Sequence, residues 1–324
     1  MAGRIEEHWD RLHFSNFVMS PLAGLYGLGW LAYRLQFDLG LKKPFRASQP
    51  VICVGSLMAG GAAKSPVTLA IAEILLQRKK KVVVSLSGYR SERRKGAFLA
   101  PDGPLTAKVW GDETAVFRDL LPEVPLVTGK DRVEAAKLAY EAHPDAIFLM
   151  DDGYQHWELT KDVTVLMDPD PTPNPFLIPA GPYREPRGNG RSRASLCLPS
   201  EEFRPYITEW TLKSPVDDSE PSGQDVQLLC AIGRPFRMVW SLEQAGKRVV
   251  DAKLLPDHDA LDAPDLWKSM RPDVPIVMTH KDWVKVRERK DWEGRPLFVA
   301  RLKVTIKPEE SFGDWLISRL PAMP

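Results

Sequence analysis

Pro50-Val-Ile-Cys-Val-Gly-Ser-Leu-Met-Ala-Gly-Gly-Ala-Ala-Lys-Ser-Pro66 is the stretch whose reading decides the fold. Val51 to Val54 is a short apolar run bounded by turn residues, the pattern of a buried parallel strand. A loop of small residues follows from Gly55 to Ala63, then Lys64 and Ser65, and a helical pattern opens at Pro66. Strand, small-residue loop, Lys-Ser and helix is the layout of a phosphate-binding P-loop. Backbone N–H groups of such a loop and of the helix N-terminus face phosphates, Lys64 supplies a point charge, and the Ser65 hydroxyl can hold Mg²⁺. Pro66 suits a first helical turn, where its missing N–H costs nothing. The usual glycine before the lysine is Ala63 here, and alanine accepts left-handed backbone angles poorly. A glycine-rich strand-to-helix turn with an incidental lysine is the competing reading.

The remainder of the chain supports an α/β protein. Its 324 residues are 44% hydrophobic and 27% charged with a net charge of +1, so an ordinary globular protein is expected, without a global pull toward nucleic acid. Cys53, Cys197 and Cys230 are far apart and form no C-x-x-C pair, which argues for reduced cysteines rather than a disulfide frame or zinc site. The N-terminus lacks the layout of a secretory signal. Phe14 to Tyr33 carries no charge but is interrupted by Ser20-Pro21, and Arg34, Lys42, Lys43 and Arg46 follow. Such a segment fits a helix lying at an anionic membrane surface; a buried helix and a true membrane span are the alternatives.

Past the loop, strands alternate with helices. Lys81 to Leu86 reads as a strand leading into Ser87-Gly88-Tyr89-Arg90, and ligands collect at such strand ends in open α/β sheets. Gly111-Asp112-Glu113 opens a helix whose acidic start also suits the helix dipole. Ala146 to Met150 is an apolar strand ending in Asp151-Asp152, a carboxylate pair placed to meet Mg²⁺ as in a Walker B strand; a turn with a capping Asp is the plainer reading. A proline-rich loop holds Arg184 and Glu185 between prolines. We expect an N-terminal membrane-associated helix over 1–45, a P-loop NTPase-like α/β/α domain over 46–200, a linker over 201–225, and a smaller α/β/α domain over 226–324.

At this point the motifs agree with one family. Gly60-Gly61, Lys64-Ser65-Pro66, Gly111-Asp112-Glu113, Asp151-Asp152-Gly153-Tyr154-Gln155-His156, Pro179-Ala-Gly-Pro182 with Arg184-Glu185-Pro186, Gly233-Arg234-Pro235 and Pro256-Asp257-His258 together resemble tetraacyldisaccharide 4'-kinase, the lipid A 4'-kinase of Gram-negative bacteria. The resemblance implies an enzyme on the cytoplasmic face of the inner membrane that moves the γ-phosphate of ATP to the 4'-hydroxyl of a tetraacyl disaccharide 1-phosphate, giving lipid IVA. It implies two α/β/α domains joined by a two-stranded linker, with the site between them. It assigns Asp112 and His258 to activating the sugar hydroxyl. Lys64 and Asp151 join them as catalytic candidates. Gly55, Ser56, Gly60, Gly61, Ala62, Ala63, Lys64, Ser65, Pro66 and Arg184 are the nucleotide candidates, and Ser65, Asp152 and Glu185 the Mg²⁺ neighbours. A monomer working with lipid and membrane surface, and no nucleic acid, is expected. Departures lie at Ala62-Ala63, at Ser56 where the family has Asn, at Ser87 where it has Arg, and at His280 where it has Glu. They leave open a weakened or silent nucleotide- or lipid-binding protein on the same scaffold. A soluble P-loop kinase for a small metabolite is a third reading, opposed by the uncharged N-terminal segment.

Overall fold

The computed structural model describes residues 11–60, 63–169 and 171–322. Gly61, Ala62 and the first ten residues of the expected N-terminal segment lie outside the described residues. In chain order the elements are α1 (Phe14–Asp38), β1 (Val51–Ser56), α2 (Lys64–Gln77), β2 (Val82–Leu86), β3 (Phe98–Leu99), α3 (Ala107–Trp110), α4 (Asp112–Leu120), β4 (Leu126–Thr128), α5 (Arg132–Ala142), β5 (Ile147–Asp151) and β6 (Val163–Met167). They continue with α6 (Arg187–Arg193), β7 (Leu196–Leu198), β8 (Arg204–Lys213), β9 (Asp225–Cys230), α7 (Pro235–Gln244), β10 (Arg248–Leu254), β11 (Ile276–Thr279), α8 (His280–Val286), β12 (Leu297–Lys307) and α9 (Glu309–Ser318). A short 3₁₀ turn covers Glu92–Arg94.

Two sheets result. The first has the order β3-β4-β2-β5-β1-β6-β7, parallel except for the edge pair β3–β4. Its central strands β1, β2, β5 and β6 are buried along their whole length. That explains why they read as continuous apolar runs rather than alternating ones, since helices cover both faces of a parallel sheet. The second sheet runs β10-β9-β11-β12-β8, with only β8 antiparallel. The expected α/β class with two parallel-rich sheets is therefore what the chain adopts.

The segment expected to be a linker carries the strand β8, and its partner β12 shows how the sheets are joined. Leu297 to Ala300 are buried in the second sheet, Arg301 to Lys303 are exposed, and Val304 and Ile306 are buried again. The second buried pair packs with Ile71, Leu75, Phe203, Phe312 and Leu316 in a core of the first sheet. The β8–β12 ribbon thus starts in one core and ends in the other. Helix α9 follows it: Gly313 lies against Arg78, whose guanidinium donates to the Glu310 carbonyl at 2.7 Å. The final helix, expected with the C-terminal domain, is packed on α2 of the first sheet, because apolar Phe312 and Leu316 find their partners there.

Pro21 was expected to interrupt the N-terminal segment; α1 instead runs through it. A helical proline leaves the carbonyl four residues earlier without its donor. The Ser20 hydroxyl takes that carbonyl, Phe17 O, at 2.7 Å. One side of α1 is held to the proline-rich loop: Asn16 donates to Ala180 O at 2.8 Å, Tyr26 donates to Arg184 O at 2.8 Å, and Phe17 meets Phe176 edge-on. No described helix is long and apolar enough to cross a membrane.

Candidate functional site

The P-loop stretch leaves β1 at its C-terminal end and enters α2. Gly55 has no room for a side chain, since a Cβ there would lie 2.4 Å from Tyr154 Cβ. Ala63 stands immediately before α2 in the left-handed region, φ 55° and ψ 30°, and no side chain caps the helix. Among the described residues no side chain takes the first N–H groups of α2, the condition for receiving an anion. The alanine carries a strain of roughly 1–2 kcal/mol in this conformation. Part of that would be offset in a glycine variant by greater unfolded-chain freedom, of about 0.4–1 kcal/mol. Ala63→Gly is expected to raise stability by about 0.5–1 kcal/mol in urea unfolding; a less stable variant would show that the loop does not hold this angle.

The carboxylates at the end of β5 have different environments. Asp151 accepts from the Ser65 and Thr68 hydroxyls, each at 2.8 Å. Burial and the nearby negative charges of Glu113 and Asp152 push its carboxyl up, against the two hydroxyl hydrogen bonds. Asp152, in the left-handed region at φ 50°, accepts a two-pronged bond from Arg184 at 2.8 and 3.1 Å and lies 3.7 Å from Lys64 Nζ. Burial opposes its ionisation, but the Lys64 and Arg184 charges prevail and hold it well below 3.8. Arg132, buried beneath, donates to Ser85 and to the Asp151 carbonyl at 2.9 and 2.8 Å.

Arg184 thus meets a carboxylate directly. Glu185 is not joined to Ser65 or Asp152: its buried carboxylate takes Arg193 and, at 3.0 Å, the Gln155 amide. Gln155 also donates to Ser56 O at 3.0 Å, linking this cluster to β1. Among the described residues no three His, Cys, Asp or Glu side chains form a metal-holding group. The oxygen donors Ser65, Asp151 and Asp152 nevertheless suit a hard cation. Asp151, whose ionisation burial and the neighbouring carboxylates oppose, would gain from a cation, and Mg²⁺ commonly uses one or two carboxylates with phosphates.

The second cluster spans the two sheets. Asp112 opens α4 behind Gly111, whose φ of +91° is a backbone conformation that side chains rarely adopt. His258 follows β10 in a left-handed conformation, φ 57°. Its Nδ1 lies 2.9 Å from Asp112 Oδ2, and Lys281 Nζ lies 3.2 Å from its Nε2. These partners assign the proton to Nδ1 and leave the Nε2 lone pair toward the ammonium. Burial works against the Asp112 charge, but the His258 hydrogen bond and the charges of Lys281 and Lys285 hold it well below the carboxylate range. Burial likewise works against the Lys281 ammonium, yet Glu113, Asp112 and Asp257 raise its pKa and keep it charged.

Arg90 donates to the carbonyls of Asp257 and His258 at 3.2 and 2.9 Å, and the Tyr89 ring sits 4.8 Å from the imidazole. Of seven described non-glycine residues with positive φ, Ala63, Arg90, Asp152 and His258 are all in these two clusters. Strained backbone of this kind collects at functional sites.

The sequence profile described as LpxK, tetraacyldisaccharide-1-P 4'-kinase, matches residues 15–321. The chain belongs to this family. Tetraacyldisaccharide 4'-kinases from Leptothrix cholodnii and Shewanella pealeana are each 31% identical, over 99% of this chain and 97% and 98% of theirs. The corresponding kinase of Verminephrobacter eiseniae is 32% identical over 86% of this chain and 68% of its own. The fold matches a crystal structure described as the "apo" form of LpxK from Aquifex aeolicus in complex with ATP. The TM-score is 0.78 with 23% identity, over 95% of this chain and 100% of that one.

Motif reading missed several members of the two clusters. Lys281, Lys285, Glu113 and Thr68 surround the candidate carboxylates, and Gln155 bridges to Glu185. Glu113 and Gln155 stand inside the quoted motifs, so their position was a signal, and Lys281 directly follows the His280 departure; Lys285 and Thr68 gave none. His156 closes the Asp151-to-His156 motif without a catalytic contact. Burial pushes it down to about 4, with Arg132 and Lys161 adding to the effect. A folded-state value below the usual 6.5 favours the neutral ring. Its stabilising contribution is then full above pH 6.5 and is lost as pH falls toward 4, at up to about 1.4 kcal/mol per unit. Urea unfolding at pH 7 and pH 4.5 is expected to show a drop of about 2–3 kcal/mol, which shrinks in His156→Gln; an unchanged drop would locate the acid sensitivity elsewhere.

Proposed function

We propose that this chain transfers the γ-phosphate of ATP to the 4'-hydroxyl of a tetraacyl disaccharide 1-phosphate, in lipid A biosynthesis. The observation that carries the mechanism is the Asp112–His258 pair, with His258 Nε2 facing the Lys281 ammonium on its other side. The incoming hydroxyl replaces Lys281 on that lone pair, and Lys281 has Glu113 at 3.5 Å as its alternative partner. The hydroxyl oxygen attacks the γ-phosphorus as its proton passes to Nε2, the bond to the β,γ-bridging oxygen breaks, and ADP leaves. Asp112 keeps the ring oriented and stabilises the imidazolium, a role for a carboxylate that stays ionised. Phosphoryl transfer depends mainly on positioning and charge neutralisation. Lys64, freed from Asp152 by the nucleotide, supplies positive charge with the N–H groups of α2. Ser65, Asp151 and Asp152 would hold Mg²⁺, which supplies charge neutralisation at the phosphates.

The purified chain in detergent, with Mg²⁺ and ATP, is expected to phosphorylate a tetraacyl disaccharide 1-phosphate; no transfer, with fold and substrate verified, would reject the reading. On this reading the enzyme works at the cytoplasmic face of the inner membrane, with α1 lying on the lipid. One side of α1 is tied to the proline-rich loop, while Phe14, Val18, Leu25 and Leu28 are exposed on the rest of it, as an interfacial helix requires. Leu25→Asp/Leu28→Asp is expected to abolish sedimentation with lipid vesicles without lowering the melting temperature. Undiminished sedimentation would remove α1 as the anchor.

A further inference from the structure

The loop between β2 and β3 carries Arg90, Arg93, Arg94 and Lys95 beside the acceptor cluster. Arg90 is committed to the backbone of residues 257 and 258. Arg93 and Arg94 are exposed, and among the described residues neither guanidinium makes a hydrogen bond or ion pair. What holds them is aromatic. Arg93 sits 4.7 Å from the Phe98 ring centroid and 5.5 Å from that of Trp110, and Arg94 sits 5.4 Å from that of Tyr89. Stacking on a ring face orients a guanidinium while leaving its N–H edge free for a planar or tetrahedral oxyanion.

The loop itself is not slack. Ser91 Oγ donates to Gly88 O at 2.7 Å, Lys130 N donates to Arg94 O at 2.8 Å, and Asp131 N donates to Gly96 O at 3.3 Å. Its position relative to the chemistry is equally set. The Tyr89 ring that carries Arg94 lies 4.8 Å from the His258 ring, so a single aromatic side chain separates a free guanidinium from the acceptor's base. Trp110, which carries Arg93, directly precedes Gly111-Asp112.

We infer that Arg93 and Arg94 form a phosphate-monoester site for the acceptor, binding the phosphate it already carries while its free hydroxyl meets His258. This rests on the kinase reading, whose acceptor class bears one phosphate. The two guanidinia would select a phosphorylated disaccharide over its unphosphorylated form, by charge-assisted hydrogen bonds that neutral groups cannot replace.

Binding separates this inference from the kinase reading, because it can be measured without turnover. Titration of the full chain in detergent, without nucleotide, is expected to show tighter binding of the tetraacyl disaccharide 1-phosphate than of the same lipid lacking phosphate. Arg93→Gln/Arg94→Gln is expected to weaken binding of the phosphorylated lipid by about tenfold or more, to leave the unphosphorylated lipid unchanged, and to leave KM for ATP unchanged. Arg94→Gln alone, which gives up only the Tyr89 contact, covers the case in which the double variant folds poorly, and Arg94→Lys is expected to restore part of the affinity. Equal binding of the two lipids by the unaltered chain, or equal loss on both in the variants, would overturn the site. Sedimentation with phosphatidylglycerol vesicles is expected to be unaffected. Loss of it with acceptor binding intact would give the arginines to membrane headgroups and overturn the inference. Failure of phosphoryl transfer with phosphate-selective binding intact would count against the kinase reading alone.

Discussion

His258→Ala lowers kcat by about 10²–10⁴-fold, the usual contribution of a positioned general base, and leaves the protein folded. The fold tolerates the change because Asp112 keeps Lys285 at 3.7 Å and Lys281 at 3.9 Å when the imidazole is gone. Asp112→Asn also slows transfer, but with a structural cost. Lys285 is nearly buried and, among the described residues, retains only Asp282 at 3.2 Å as a carboxylate partner, so a stability loss of about 1–3 kcal/mol accompanies it. The double variant is expected to be little slower than His258→Ala alone, because residues acting as one unit are strongly non-additive. Steady-state rates at saturating substrates with parallel melting curves check this. A His258→Ala enzyme with near-normal kcat would remove the imidazole from the mechanism.

Lys64→Ala and Arg184→Ala are expected to fail in different ways, although both cations touch Asp152. Lys64 is the longer contact, at 3.7 Å, and its removal leaves the two-pronged Arg184 bond in place. The variant should fold normally and lose about 10²–10³-fold in kcat/KM for ATP, the scale for one preorganised charge-stabilising group. Arg184→Ala leaves Asp152 with Lys64 at 3.7 Å as its ion-pair partner among the described residues. Breaking a buried pair costs about 3–5 kcal/mol, and since both side chains keep roughly a quarter of their exposure, about 2–3 kcal/mol is the expected loss. Urea unfolding beside ATP kinetics distinguishes the two. An Arg184→Ala protein as stable as the original would mean that the fork does not hold the loop.

The parts of this molecule that were legible in its sequence are those encoded over a few residues. The buried strands β1, β2, β5 and β6 show as apolar runs, and the loop before Lys64 shows as small residues. The left-handed strain at Ala63 was foreseeable because alanine stood where glycine is usual. The Asp112–His258 pair was reached through resemblance and not through pattern, since 146 positions separate the two residues.

What escaped the sequence follows from the same distinction. Glu185 reads as a metal neighbour by its place in a motif, yet Arg193 and Gln155 occupy its oxygens. The last helix reads as part of the C-terminal unit, yet Phe312 and Leu316 pack with Ile71 and Leu75. Pro21 reads as a break, yet Ser20 takes the carbonyl it frees.

By itself the sequence determined the α/β class, the order of the strands along the chain, and which residues could carry phosphate chemistry. Only the tertiary structure decided which charges neutralise one another. Lys64 and Arg184 converge on Asp152, Lys281 and Lys285 converge on Asp112, and Arg93 and Arg94 meet only rings among the described residues. Burial and short-range periodicity are local properties of a chain. The pairing of charges depends on ångström distances between segments that are remote in sequence, as Asp152 is from Lys64 within the first sheet and Asp112 from Lys285 across the two, and those distances exist only once the chain has folded.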